Sequence, residues 1–158
     1  MTSLIDRALA TATDTKEIAF GTGVLDQTGP MFSRLFPGAK VLVVADGNTF
    51  AAAGGPVVDS LRAAGVEFAQ EPYVFPGTPT LYAGYDNVEV LREHIRPLED
   101  TIVCSIASGT LNDLAKLASG ELGRPYMNVC TAPSVDGYAA FGASIAKDGF
   151  KITRNCPA

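Results

Sequence analysis

Ser108, Gly109 and Thr110 follow directly on the apolar run Ile102–Ile106, and an apolar-periodic stretch begins immediately after them. Strand, small-residue turn and helix start in that order make an anion cradle. The first helical turn offers unpaired N–H groups and the positive end of the dipole, and only small residues let a phosphate reach that backbone. A structural reading stands beside it, in which Thr110 and Asp113 form a capping box and Lys116 is a solvated helix residue. The segment carries no Walker sequence. Gly21-Thr-Gly23 lacks the third glycine of a G-x-G-x-x-G fingerprint, since position 26 is Asp. A nucleotide bound here would use a different phosphate loop.

Two further groups of residues could do chemistry. Asp46, directly after the apolar run Lys40–Ala45, could accept hydrogen bonds from both hydroxyls of a ribose and would repel a 2′-phosphate. Asp46-Gly47-Asn48-Thr49 reads equally as a turn or helix cap. Thr131, Ser134 and Asp136 lie in a stretch of small and hydroxyl residues where one acid could bind a polyol, or be a loop Asp satisfied by its own backbone. The single histidine, His94, falls within a helical stretch and reads as a surface residue. Cys104, Cys130 and Cys156 are odd in number and lack metal-type spacing, which suits buried free thiols in a reducing, cytoplasmic setting.

The elements that must position these residues alternate along the chain. Strands are expected at 18–20, 40–45, 67–75, 101–106 and 126–129. Helices are expected at 24–36 (interrupted near Gly29-Pro30), 56–64 (stopping at Gly65), 81–95 and 109–119. A hairpin-like pair follows near 141–146 and 150–153. Nearly continuous apolar strands alternating with helices predict an α/β fold, a Rossmann-like parallel sheet with helices on both faces plus a C-terminal β-hairpin. Ligands of such sheets sit beyond the carboxyl ends of the strands, so chemistry is expected just after residues 45, 75, 106 and 130.

Composition sets the outer bounds. The 158 residues are 47% hydrophobic and 18% charged, enough for one domain with a real core. A net charge of −5 with twelve scattered basic residues argues against nucleic acid or an anionic membrane as partner. No run approaches a membrane span.

Five stretches, taken in order, carry a resemblance: Phe20–Leu25, Val43–Thr49, Phe75–Tyr82, Ser108–Lys116 and Gly123–Tyr138. From about residue 18 onward the chain resembles the superfamily of glycerol dehydrogenases, iron-containing alcohol dehydrogenases and dehydroquinate synthases, and within it the sn-glycerol-1-phosphate dehydrogenase branch. The resemblance implies an N-terminal domain that binds NAD or NADP. Ser108, Gly109 and Thr110 match its pyrophosphate turn and Asp113 a residue near the cofactor. Asp46 matches the acid at the adenosine ribose, Thr131 and Ser134 the loop beside the nicotinamide, and Asp136 an acid contacting substrate hydroxyls. Hydride would pass between the nicotinamide and C2 of a phosphorylated or free polyol, with a divalent metal (Zn, Ni or Fe) polarising the oxygen. In that family the metal ligands, one Asp and two His, lie in a helical C-terminal domain. The chain is therefore expected to be the cofactor-binding half, without a metal site or turnover of its own, and assemblies of two or more copies are common in such families. Ala107-Ser108 stands where iron-dependent relatives carry glycines, which favours the glycerol-1-phosphate branch. A dehydroquinate synthase would carry Gly-Gly-Lys after the acid of the 131–138 loop, whereas Gly137-Tyr-Ala-Ala stands here. A non-enzymatic nucleotide-binding or partner domain is the remaining alternative.

Overall fold

The structure is a computed structural model that describes residues 3–135 and 137–158. Its centre is a four-stranded parallel sheet of β1 (Lys40–Asp46), β2 (Tyr73–Phe75), β3 (Thr101–Ala107) and β4 (Tyr126–Cys130), in the order β2-β1-β3-β4. The apolar runs of β1 and β3 are buried on both faces because side chains alternate across the sheet. Val41, Val43, Ala45, Ile102, Cys104 and Ile106 face α2 (Thr28–Leu35) and α3 (Gly47–Ala63), meeting Phe32, Val57, Val58 and Leu61. Leu42, Val44, Val103 and Ala107 face α4 (Tyr85–Ile95) and α5 (Gly109–Glu121), meeting Val88, Leu91, Leu111 and Leu114. The α/β reading with helices on both faces therefore holds. So does the hairpin, β5 (Ala143–Lys147) with β6 (Phe150–Arg154), which packs Ala143 and Ile145 onto the α4/α5 side. A short α1 (Leu4–Leu9) precedes all of this and buries none of its residues.

Five expected boundaries are corrected. Residues 18–20 form no strand. Gly29-Pro30 does not interrupt a helix. It lies in the first turn of α2, where Pro gives up no intrahelical bond, and the break falls earlier, at a 3-10 turn over Val24–Gln27. A Cβ on Gly29 would stand 2.0 Å from the Ser60 carbonyl oxygen, so glycine is what lets α2 cross α3 there. The helix expected at 56–64 begins at Gly47. The run Ala51–Pro56 looks like a breaker, but packing of Ala53, Val57, Val58 and Leu61 on the sheet outweighs the bond lost at Pro56. The strand expected over 67–75 splits. Phe68 bridges Val41 while Tyr73 pairs with Val44, so five residues span three of β1 and the excess bulges at 69–72. Residues 81–84 are drawn out of the fourth helix because Ala83 accepts a hydrogen bond from the Ala146 N–H of the hairpin.

The crossover from β1 to β2 runs through α3 on one face, whereas those from β2 to β3 and β3 to β4 run through α4 and α5 on the other. The strand order thus reverses between β1 and β3. That reversal opens a crevice between their carboxyl ends, the place where such sheets take ligands. Among the described residues no helix is long and apolar enough to cross a membrane.

Candidate functional site

Ala45 pairs with Ile106, so Asp46 leaves β1 beside the point where Ala107-Ser108 leaves β3. Asp46 caps α3. Its Oδ1 accepts from the N–H groups of Asn48 and Thr49, both at 2.9 Å, and its own N–H donates to Thr49 Oγ1 at 3.0 Å. The cap and ribose readings are therefore compatible, because both cap bonds fall on Oδ1 and Oδ2 points no bond at the backbone of α3. Ser108 holds the corresponding position on α5, with extended backbone (φ −91°, ψ −171°) and no side-chain bond to the helix. Its hydroxyl and the first N–H groups of α5 stand together at the edge of the sheet. The capping box read into Thr110 and Asp113 does not form, because α5 starts at Gly109 and Thr110 is already its second residue.

The third side of the crevice is the segment after β4. Thr131 donates its N–H to the Ala107 carbonyl at 3.0 Å, which keeps it against the end of β3. Ser134 is exposed in the turn that follows. Val135 covers the start of α5, since a Cβ on Gly109 would lie 3.3 Å from its Cγ1. Asp136 lies outside the described residues. Asp46, Ser108, Gly109, Thr110 and Thr131 are thus brought to one edge. Asp113 is directed elsewhere: its Oδ2 accepts the Ser144 N–H of β5 at 3.1 Å.

Burial raises the Asp113 carboxyl above the ordinary Asp value, outweighing the lowering by the Ser144 N–H and by Lys116. A raised folded value means full stability below the unfolded pKa and loss of stability as pH rises through the folded one. Asp113→Asn keeps an acceptor for Ser144 and carries no charge to bury. At pH 7 it is expected to melt higher than the parent. The gain should vanish below about pH 4, where the carboxyl is protonated folded or unfolded. Thermal melts across pH 3–8 check this, and a variant less stable at every pH would refute it.

Lys116 is not a solvated residue. It is 1% exposed, and its Nζ donates to the carbonyls of Gly137 (2.8 Å), Ala140 (2.8 Å) and Gly142 (3.2 Å). One turn earlier the buried Asn112 donates to the Gly137 carbonyl at 3.4 Å and accepts from Tyr126 Oη at 3.0 Å. Tyr138 Oη shares its one proton between the carbonyls of Ala107 (3.3 Å) and Ala132 (3.1 Å). Sequence reasoning missed Asn112, Tyr126 and Tyr138 as organisers of the edge. The signal was the spacing of Asn112 and Lys116, two polar residues four apart on a helix otherwise lined with Leu111, Leu114 and Ala115. His94, expected at the surface, is half-buried at the other end of α4, its Nε2 2.7 Å from Gln70 Nε2 and its ring 4.3 Å from that of Tyr73. Cys104 and Cys156 are buried free thiols, the first pushed up to about 12 by burial, while Cys130 is exposed.

The crevice suits a dinucleotide: a hydroxyl with no bond to its own helix and N–H groups for phosphate, and a carboxylate one strand away for ribose. Among the described residues no three His, Cys, Asp or Glu side chains converge.

Residues 19–158 match the family described as iron-containing alcohol dehydrogenase. Over 114 residues the chain is 36% identical to a glycerol-1-phosphate dehydrogenase [NAD(P)+] of Halalkalibacterium halodurans, covering 72% of this chain and 28% of that protein. It is 32% identical over 134 residues to the enzyme of the same name from Methanosarcina barkeri, covering 85% and 36%. The chain thus spans well under half the length of the curated relatives it matches. Among solved structures, the 2-epi-5-epi-valiolone synthase of Streptomyces hygroscopicus with NAD+ and Zn2+ bound superposes with a TM-score of 0.68 at 17% identity, over 93% of this chain and 43% of that one. That likeness bears on the fold alone.

Proposed function

Since this chain belongs to the iron-containing alcohol dehydrogenase family, we propose that it is the dinucleotide-binding part of a polyol dehydrogenase that transfers hydride between NAD(P)H and dihydroxyacetone phosphate. The observation that carries the reading is Ser108, a helix-start serine with no bond to its own helix, one strand away from the capped carboxylate of Asp46. The pyrophosphate would lie on the first turn of α5 and the adenosine ribose on Asp46 Oδ2. Thr131 and Ser134 would flank the nicotinamide, whose role when bound is to supply or accept the hydride. Asp136 would meet the substrate hydroxyls. The metal ligands of the working enzyme would come from residues other than those described. The free thiols suit a reducing cytoplasm.

Titration calorimetry with NADH and NADPH tests this, with two variants separating the functions of Asp46. Asp46→Asn keeps a cap acceptor and loses the charge. It is expected to weaken NADH about tenfold, to narrow any preference for NADH over NADPH, and to leave the melting temperature nearly unchanged. Asp46→Ala also loses the cap, at about 1 kcal/mol of stability. Saturable NADH binding that both variants weaken supports the reading. Binding indifferent to residue 46 removes the ribose assignment, and no binding of either nucleotide by the folded parent chain overturns the proposal.

A further inference from the structure

We propose that Lys116 is a positioning residue for the wall of the crevice formed by residues 131–135 and 137–142. Three backbone carbonyls, those of Gly137, Ala140 and Gly142, converge on one sealed ammonium. An ammonium has three donors and all three are used. A buried charge is tolerated only when its hydrogen bonds are complete, so the segment cannot shift without stranding either the charge or the carbonyls.

The neighbours of Lys116 work in the same direction. Asn112 shares the Gly137 carbonyl, Asp113 takes the Ser144 N–H, and a Cβ on Gly120 would lie 3.1 Å from Cys156 Cβ. One face of α5 therefore clasps the chain from 137 to 156. The other end of the segment is fixed to the sheet by Tyr138 Oη and the Thr131 N–H, both on the Ala107 carbonyl. The helix whose first turn is the phosphate cradle thus also sets the facing wall, through a side chain two turns further on. Lys116 touches neither crevice nor ligand and acts only through the backbone it holds.

This inference rests on the dinucleotide reading for the consequence it draws, though not for the clasp itself. Two measurements on the full chain separate them. Hydrogen exchange of Lys116→Met is expected to show amides within 137–142 exchanging about tenfold faster, with β1 and β3 unchanged. NADH affinity is expected to fall about tenfold while ADP-ribose, which lacks the nicotinamide facing that wall, binds as before. Lys116→Gln, which retains two N–H donors but no charge, is read in the same way should the Met variant fail to fold. Protection lost throughout the sheet in both variants means a lysine that merely stabilises the fold, and overturns the proposal. So does exchange unchanged at 137–142, or an equal loss of NADH and ADP-ribose affinity. If the parent chain binds neither nucleotide, the dinucleotide reading fails by itself and the exchange result alone decides the clasp.

Discussion

Replacing Ser108 by Asp is expected to raise the melting temperature and, in the same protein, to weaken dinucleotide binding on the order of a hundredfold. The two effects have opposite signs because they act on one feature. Ser108 occupies the N-cap of α5 without making the side-chain bond that position allows. Aspartate is as good a cap as any, and its charge is favoured by the positive end of the helix, together about 1 kcal/mol or about 2 °C in a chain of this size. The same carboxylate would occupy the place proposed for the pyrophosphate. Two like charges about 4 Å apart in a partly shielded crevice repel by up to about 4 kcal/mol, and a hundredfold corresponds to about 2.7 kcal/mol. Ser108→Ala is the control, removing the hydroxyl without adding charge. It is expected to leave stability within about 0.5 kcal/mol, since no cap bond is lost, and to weaken binding only a few-fold. Thermal melts and NADH titrations of the three proteins settle the matter. A Ser108→Asp variant that binds NADH like its parent would place the phosphate somewhere else.

The elements legible in the sequence were those whose pattern and packing agree. β1 and β3 are apolar throughout because both faces are covered, so their runs mark them almost to the residue. Boundaries failed where tertiary contact overrode local preference. Gly54, Gly55 and Pro56 argue for a loop, yet they lie inside a 17-residue helix held by its apolar face and by the Asp46 cap. Gly29 argues for a break, yet its missing side chain is what the α2–α3 crossing requires. The edge of the sheet was legible through Asp46, Ser108 and Thr131 because small, hydroxyl or acidic residues stand after β1, β3 and β4. The buried polar scaffold under it was not. The spacing of Asn112 and Lys116 marks two polar residues on the buried face of α5, but their partners, carbonyls 21 to 26 residues away from Lys116, are not encoded locally. Asp113 shows the same limit from the other side: a residue suited by type and place to a cap or a cofactor spends its oxygen on the N–H of Ser144 in β5.

The 158-residue chain, supplied with NADH, dihydroxyacetone phosphate and Zn2+, Ni2+ or Fe2+, is expected to show no metal-dependent consumption of NADH even where it binds the nucleotide. Polarising a ketone oxygen with a divalent ion takes about three protein ligands around an open position. The described residues do not assemble them. Asp46 caps α3 through Oδ1 and Asp113 bonds β5 through Oδ2, and among the described residues no group of three His, Cys, Asp or Glu forms around either. His94 is ruled out by topology. It lies in the last turn of α4, which delivers the chain to the start of β3, so it sits at the amino ends of the strands beside Gln70 and Tyr73. The crevice lies at the opposite end. A sheet that binds the nucleotide along one edge and leaves the facing side to other residues can orient the ring for hydride transfer, but it cannot stabilise the alkoxide that the transfer makes or consumes. Fusing residues 1–158 to the C-terminal portion of the Halalkalibacterium halodurans relative, of which the chain's match covers 28%, supplies the complementary test. Metal-dependent turnover in the fusion and none in the chain alone divides the reaction as proposed, with binding on one side and polarisation on the other. Turnover by the chain alone, abolished by a chelator, would place a complete metal site within these 158 residues and overturn that division.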